Sequence, residues 1–362
     1  MKILFITSSS INGGAQKHIR DMFRSLTLLG HEVRLAAPEG WLMDELSVYQ
    51  TKLYSVCLSL KGMRELASII NDYCPDVTNT FILSGGIMGI YAWKKKKIGK
   101  AFVTVNNPVI YDSISSTGRW LYPRFYRWMS RYASAFLVKS DTVKEEIENV
   151  IYGMKPVLSI KNGIDFEVFN KKTSYPNLRK QYNITASDIV ITNVAVLEQR
   201  KGQEHLIEAV VQLRKQHTIH LFLAGDGSYR SNLEDKVKCL EAEGYIHLLG
   251  RRNDVNCVLA NSDIFVLASY HEGLPNSLME AMAMGLPCVA TDVGGVRQLI
   301  ADGNNGIVVA PKSTEAILQG ISKYLDNGEL RKTIGDNAND SIKSKFRQET
   351  VVEELLEIYK TY

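Results

Sequence analysis

The chain reads as an α/β protein built from two doubly wound units, and three observations predict this. Short apolar runs alternate with segments of helical periodicity from the first residues onward. The alternation restarts after a polar stretch at Asn162 to Ile184, which carries Gly163, Asp165 and Pro176 and is expected to connect the two units. The chain has 362 residues, 45% of them hydrophobic, enough for about two domains with sizeable cores.

The elements follow in order. KILFIT is a short apolar strand, and SSSINGG after it is a Gly-rich loop. AQKHIRDMFRSLTLL has apolar positions at helical spacing and is closed by Gly30, after which HEVRLAA is the next strand. The pattern predicts a helix over Lys61 to Tyr73 and strands over Asp76 to Asn79, Ala101 to Val105 and Ala135 to Val138. Strand–helix alternation of this kind favours a mostly parallel sheet covered on both faces. In the second half, ITNVAVL, HLFLAG, IHLLG, IFVLAS and PCVAT read as strands. Helices are expected over His205 to Lys215, near Ser231 to Glu243 and over Asn276 to Met284, and Glu349 to Tyr362 is amphipathic. In doubly wound sheets a ligand sits at the carboxyl ends of the strands.

Composition narrows the function classes. The net charge is +4. Residues 1–168 hold 21 Lys and Arg against 15 Asp and Glu, a local excess of +6, while the remainder holds 22 against 24. A basic first half suits an anionic acceptor or a membrane surface, and ordinary surface chemistry explains it as well. Five cysteines (Cys57, Cys74, Cys239, Cys257, Cys288) show neither C-x-x-C nor metal-like spacing and read as reduced thiols of a cytoplasmic protein. Met1-Lys2 leads straight into a strand, so no signal peptide is expected, and no apolar run is long enough to span a bilayer. No nucleic-acid module is present.

The most informative stretch is His271 to Gly295, HEGLPNSLMEAMAMGLPCVATDVGG. It places Glu272 and Glu280 on either side of the turn Gly273-Leu274-Pro275 and the start of the Asn276 helix. Pro275 suits a first helical position, where a missing N–H costs nothing, and Gly285 followed by Pro287 stops the helix. The helix start at Leu274, Asn276 and Ser277 offers unpaired N–H groups and a partial positive charge, which suits a phosphate. A ligand lying across both carboxylates would carry phosphates flanked by hydroxyls, as a nucleotide-sugar does. This segment resembles the donor-site signature of retaining glycosyltransferases of family 4. The resemblance extends over almost the whole chain and implies the GT-B fold, two doubly wound Rossmann-like domains facing across a cleft. It implies an acceptor-side domain over 1–165, a donor-binding domain over 166–345, and a helix over 346–362 that packs back on the first domain.

The other motifs take roles in that setting. Gly13-Gly14 follows the first strand, where two glycines let the backbone approach a ligand. In the family this loop faces the donor phosphate, although an ordinary strand-to-helix turn looks the same. No G-x-G-x-x-G occurs, so a nicotinamide reading is poor. Arg200-Lys201-Gly202 matches the family's basic element, whose cations would neutralise charge on the leaving diphosphate. Many relatives carry an arginine where this chain has Ala195-Val196. Gly225 would allow close approach of the nucleotide, and Arg251 or Arg252 would either stack on a base or sit in solvent. By resemblance Glu280 accepts hydrogen bonds from ribose hydroxyls, and Glu272 contacts hydroxyls of the transferred sugar. Many relatives have histidine where this chain has Asn106, ahead of Asn107-Pro108. An amide can bind a hydroxyl but cannot act as a titrating base. His18 is expected in solvent or in the core. No D-x-D and no zinc-like spacing occurs, so no metal or other cofactor is expected.

Arg119 to Phe136 interleaves arginines with Trp120, Tyr122, Phe125, Tyr126 and Trp128. It either buries an aromatic stripe in the first domain or rests on an anionic bilayer at the inner face of the membrane, with Lys94–Lys97 beside it. The resemblance therefore implies a retaining, metal-independent enzyme that uses a nucleoside-diphosphate sugar, expected to be UDP-linked. Its acceptor would be a saccharide, a lipid-linked sugar or a small molecule, in polysaccharide or glycoconjugate synthesis. Two other classes stay open: a non-catalytic nucleotide-sugar-binding subunit, which Asn106 and Ala195-Val196 would suit, and a nucleotide-sugar epimerase.

Overall fold

The computed structural model describes residues 1–11, 13–49, 51–106, 115–171 and 173–362. It divides into two compact units, Met1–Gly163 with Gln348–Tyr362, and Ile164–Arg347.

The first unit runs β1 (Lys2–Thr7), α1 (Gly14–Leu28), β2 (Glu32–Ala37), α2 (Trp41–Leu46), β3 (Leu53–Ser55), α3 (Leu60–Tyr73) and β4 (Val77–Phe81). It continues with α4 (Leu83–Lys96), β5 (Lys100–Val105), α5 (Ser116–Ser130), β6 (Ala135–Val138), α6 (Asp141–Ile151) and β7 (Val157–Ser159). The seven strands are parallel in the order β3-β2-β1-β4-β5-β6-β7, so the winding reverses between β1 and β4. Both faces are covered, which is why the strands read as apolar runs without polar alternation. Along β1, Ile3 and Phe5 enter one core while Leu4 and Ile6 enter the other.

The second unit runs α7 (Leu178–Gln181), β8 (Ile189–Val194), α8 (Gln203–Leu213), β9 (Ile219–Ala224), α9 (Arg230–Cys239), β10 (Ile246–Gly250) and α10 (Val255–Ala260). Then come β11 (Ile264–Leu267), α11 (Asn276–Ala283), β12 (Cys288–Thr291), α12 (Val296–Leu299), β13 (Ile307–Val309), α13 (Thr314–Leu325) and α14 (Gly328–Lys345). Its six parallel strands take the order β10-β9-β8-β11-β12-β13, with the reversal between β8 and β11. On β11, Ile264 and Val266 pack with α8 and α13 residues, and Phe265 and Leu267 pack with α11 and α14 residues. Ligands of doubly wound sheets bind outside the carboxyl ends of strands at such a reversal.

A last helix, α15 (Gln348–Thr361), belongs to the first unit. Its apolar face, Val351, Val352, Leu355, Leu356 and Tyr359, is buried with Phe5, Phe23 and Phe102. The Phe102 and Tyr359 rings lie 4.9 Å apart. Asn79 Nδ2 donates to the Tyr359 hydroxyl at 2.7 Å, and Thr104 Oγ1 donates to Asn79 Oδ1 at 2.8 Å.

The segment expected to be a connection is mostly part of the second unit. Ile164 is buried and its N–H donates to Phe346 O at 2.7 Å. Leu178 and Ile184 enter a core with Val190 and Phe222. The polar composition of the stretch masks a few apolar anchors that dock it along the sheet.

Candidate functional site

In the second unit, three loops meet at the carboxyl ends of β8, β9 and β10. Beyond Val194 the chain turns at Ala195-Val196, buries Leu197, and forms a 3-10 turn, Gln199–Lys201, that enters α8 through Gly202. Gly225 lies directly against this loop: a Cβ there would sit 1.8 Å from Ala195 O, and φ is +154°. Two residues on, a Cβ at Gly227 would sit 2.3 Å from Leu197 O. The Gly225 N–H donates to Gly250 O at 2.9 Å, which ties the β9 and β10 loops together.

Lys201 is aimed by two constraints. Gly202 has φ +64° and no room for a Cβ, which would meet Ala268 O at 2.1 Å. The Tyr270 N–H donates to Arg200 O at 2.8 Å, fastening the turn to the segment after β11. Lys201 Nζ therefore reaches Glu272 Oε1 at 2.7 Å, with both side chains only 11% exposed. Ser269 Oγ donates to the same oxygen at 2.6 Å, and Ser269 O accepts from Thr291 Oγ1 at 2.6 Å. Gly294, at φ +51°, approaches the backbone of Glu272 so closely that a Cβ would meet Glu272 O at 1.9 Å. The Gly295 N–H donates to Gly273 O at 2.7 Å. Gly294-Gly295 thus supports the Glu272 turn from behind.

Pro275 is the residue before the first turn of α11 (φ −76°, ψ 107°), not its first helical residue as the sequence suggested, and the helix begins at Asn276. Proline has no capping side chain, so the leading N–H groups of α11 are not met by one. Leu274 is buried against Gly295, while Asn276, Ser277 and Glu280 are half-buried around the helix start. The helix ends in a Schellman motif: Leu286 N–H donates to Ala281 O at 3.0 Å, Gly285 N–H to Met282 O at 2.9 Å, and Gly285 has φ +64°. Its buried face, including Leu278 and Met282, packs on the sheet and α14, which fixes where the first turn points.

The other cations divide. Arg200 Nε pairs with Glu198 Oε2 at 2.6 Å and its side chain is half exposed, so in this structure it does not join Lys201 and Glu272. Arg252 is held by both oxygens of Asp254, at 2.8 and 2.7 Å, whereas Arg251 is exposed. Tyr229 donates to Glu204, and that bond, with burial, pushes its phenol up to about 12. Ser269, Thr291 and Gln203 are supporting residues that the sequence reading did not name. Gln203 is buried and donates to Val196 O at 3.1 Å, steadying the β8 loop. Ser269 stands three residues before Glu272, a spacing that could have suggested it.

In the first unit, Gly13 precedes α1 in extended backbone (φ −157°) and Gly14 opens the helix. Asn106 follows β5, its side-chain N and O buried without hydrogen-bond partners among the described residues. Asn107 and Pro108 lie outside the described residues. His18 is buried. Among the described residues no cluster of three or more His, Cys, Asp or Glu side chains could hold a metal ion, and no helix is long and apolar enough to cross a membrane.

Two Rossmann-like parallel sheets, with loops gathered at the carboxyl ends of the second, define a GT-B glycosyltransferase architecture. Family models agree along most of the chain: residues 12–168 match Glycosyltransferase Family 4 and residues 174–341 match Glycosyl transferases group 1. The chain belongs to the family-4-like glycosyltransferases. It is 28% identical over 220 residues to the Bacillus anthracis N-acetyl-alpha-D-glucosaminyl L-malate synthase, covering 61% of this chain and 58% of that protein. The match thus spans little more than half the length of that relative. Against the Escherichia coli UDP-Gal:alpha-D-GlcNAc-diphosphoundecaprenol alpha-1,3-galactosyltransferase the identity is 22%, over 99% of this chain and 96% of the other. The solved structure of Anabaena HepE in complex with UDP superposes with a TM-score of 0.88 at 21% identity, covering 100% of both chains.

Proposed function

We propose that the chain is a retaining, metal-independent glycosyltransferase that moves a sugar from a UDP-linked donor to a saccharide or lipid-linked acceptor in glycoconjugate synthesis. The observation that carries this reading is the Lys201–Glu272 pair, mostly buried and set beside the uncapped start of α11. Lysine has three donors, so Lys201 can keep Glu272 while meeting a phosphate oxygen. The first-turn amides of α11 take the distal phosphate, and Glu280 takes the ribose hydroxyls. Glu272 orients hydroxyls of the transferred sugar. The acceptor oxygen bonds to the anomeric carbon as the bond from that carbon to the diphosphate oxygen breaks. The leaving diphosphate, stabilised by Lys201, takes the acceptor's proton. Attack from the leaving-group face retains the anomeric configuration and needs no protein base, which suits asparagine at position 106. The UDP preference draws support from the neighbour solved with UDP, and lipid-linked acceptors from the galactosyltransferase relative.

A membrane contact fits the same reading. Helix α5 buries Tyr126 and Met129, with Tyr122 and Trp128 packed beside them. It leaves Trp120 58% exposed, with Arg124 stacked 3.7 Å over its ring. Arg127 reaches the hydroxyl of exposed Tyr152 at 3.3 Å, and Met154 is exposed beside Ser130. The helix thus buries one aromatic stripe and presents arginines with a tryptophan outward, a surface suited to anionic headgroups.

The test is a donor screen with UDP-, GDP- and ADP-sugars in EDTA, with the product's anomeric configuration read by NMR. Transfer from a UDP-sugar with retention is expected. An inverted product, or a strict divalent-ion requirement, would overturn the corresponding part. Sedimentation with phosphatidylglycerol vesicles but not phosphatidylcholine vesicles, weakened in Trp120→Ala, is expected for the α5 surface.

A further inference from the structure

We propose that His18, Lys139 and Asn106 form a subsite in the first unit that takes an oxyanion, a carboxylate or phosphate group, carried by the acceptor. Calling the ligand an acceptor rests on the transferase reading above; the anion site itself does not.

Strand register brings the three together. β5 and β6 are parallel, with Val105 opposite Val138, so the next residues, Asn106 and Lys139, leave neighbouring strand ends roughly 5 Å apart. Val103, Val105, Phe136 and Val138 share one core, while Phe102, Ala135 and Leu137 share the opposite one. Side chains alternate along a strand, so Asn106 and Lys139 fall on the face of Phe102 and Leu137. That is the face covered by α1, and His18 comes from the second turn of α1. The contact follows: Lys139 Nζ lies 2.5 Å from His18 Nε2, with the residues 8% and 7% exposed.

Two bases in contact, with no carboxylate on either among the described residues, make an unusual pair. Burial lowers both well below their ordinary values, and Lys139 lowers His18 further, so the charged form of each base is disfavoured where it stands. Beside it the Asn106 amide has no partner for its nitrogen or its oxygen among the described residues. Buried polar groups left in this state ask for a ligand. A sugar hydroxyl would satisfy Asn106 but would bring no negative charge to favour protonation of the two bases. An oxyanion restores the charge of one or both bases on binding and accepts from the Asn106 amide, so binding takes up protons. The carboxyl ends of a doubly wound sheet are where such a ligand enters.

The test is calorimetric titration of D-glucuronate and of inorganic phosphate, with D-glucose as the neutral control, at pH 7 in two buffers of unlike ionisation enthalpy. UDP is titrated separately. Saturable binding of at least one anion is expected, with proton uptake and none for glucose. The two anions distinguish a carboxylate from a phosphate acceptor. Lys139→Met should weaken that binding by roughly ten- to a hundredfold, the range of a lost charged hydrogen bond, and abolish the proton uptake, with UDP binding unchanged. Should Lys139→Met melt early, His18→Gln carries the test with the same expected loss. No anion binding, or binding that is unchanged in both variants, overturns the subsite. Loss of UDP binding by the wild type would instead sink the donor reading and leave the subsite standing.

Discussion

Lys201 and Glu272 stand 71 residues apart in sequence and 2.7 Å apart in space. Each was legible by itself, Lys201 from its place before a glycine after a strand and Glu272 from the turn and helix that follow it. Their mutual contact was not, because it depends on the Arg200–Tyr270 backbone bond and on the room made by Gly202 and Gly294. Lys139 was missed for a similar reason: it directly follows the apolar strand Ala135–Val138, where nothing in the local pattern marks a polar partner. At 11% exposure the pair is shielded enough that removing one member strands the other. Lys201→Ala and Glu272→Ala are each expected to lower kcat by about 10²–10³-fold, the scale of losing one group that stabilises transition-state charge. Thermal unfolding of Lys201→Met, Glu272→Gln and the double variant should give a coupling of about 1–3 kcal/mol, with the double variant less damaged than the two losses added together. Additive losses would show that the pair does not act as a unit.

Secondary structure was readable wherever an apolar face is repeated. β6 and β10 lie where the pattern placed them, and the predicted helix over Lys61 to Tyr73 gains one residue. The first strand of the second unit was read through Leu197 but ends at Val194, because Leu197 buries itself in the loop that carries Lys201. Helices α13 and α14 were not named: α14 is mostly polar, and its signals are single capping residues, Asn327 there and Ser313 before α13. One property of β9 and β10 lies only in their pairing. Phe222 aligns with His247, and His220 Nδ1 comes 3.3 Å from His247 Nε2 with the rings stacked at 5.6 Å. Burial, and then His220, lowers His247 to about 4, and burial also lowers His220, despite Asp188 nearby. Both folded values lie below the unfolded value of about 6.5, so the unfolded chain takes up protons first as pH falls. The stability this neutral pair contributes is present above about pH 6.5 and is lost toward pH 4, on the order of 2 kcal/mol. The melting temperature should fall across that window. His247→Gln should flatten the slope, and an unchanged slope would remove the pair as its cause.

At the scale of the whole chain, two parallel sheets with matching reversals were legible because both halves repeat the strand–helix pattern. The ownership of the last helix was not legible from pattern alone. An amphipathic segment shows that it has a buried face but not which core receives it, and the reading that it returns to the first unit came from the family resemblance. The structure supplies the reason in side chains: Val352, Leu355 and Tyr359 close the core that β1, β4 and β5 leave open, and Lys100 Nζ donates to the carbonyls of Tyr359 and Lys360 at 3.1 and 2.6 Å. Tyr359 is the critical contact, since its hydroxyl accepts from Asn79, which in turn accepts from Thr104. Tyr359→Phe keeps the packing but leaves the Asn79 N–H unmet in a buried place, an expected loss of about 1–3 kcal/mol. Tyr359→Ala opens a cavity as well and should cost about 3–5 kcal/mol. A chain ending at Arg347 loses the whole face, so Phe5, Phe23 and Phe102 meet water. It should bind a hydrophobic dye and melt well below the full chain by calorimetry. If it instead melts with the full chain, with no added dye binding, then α15 rests on the first unit without holding it together, and the Tyr359 contacts contribute little.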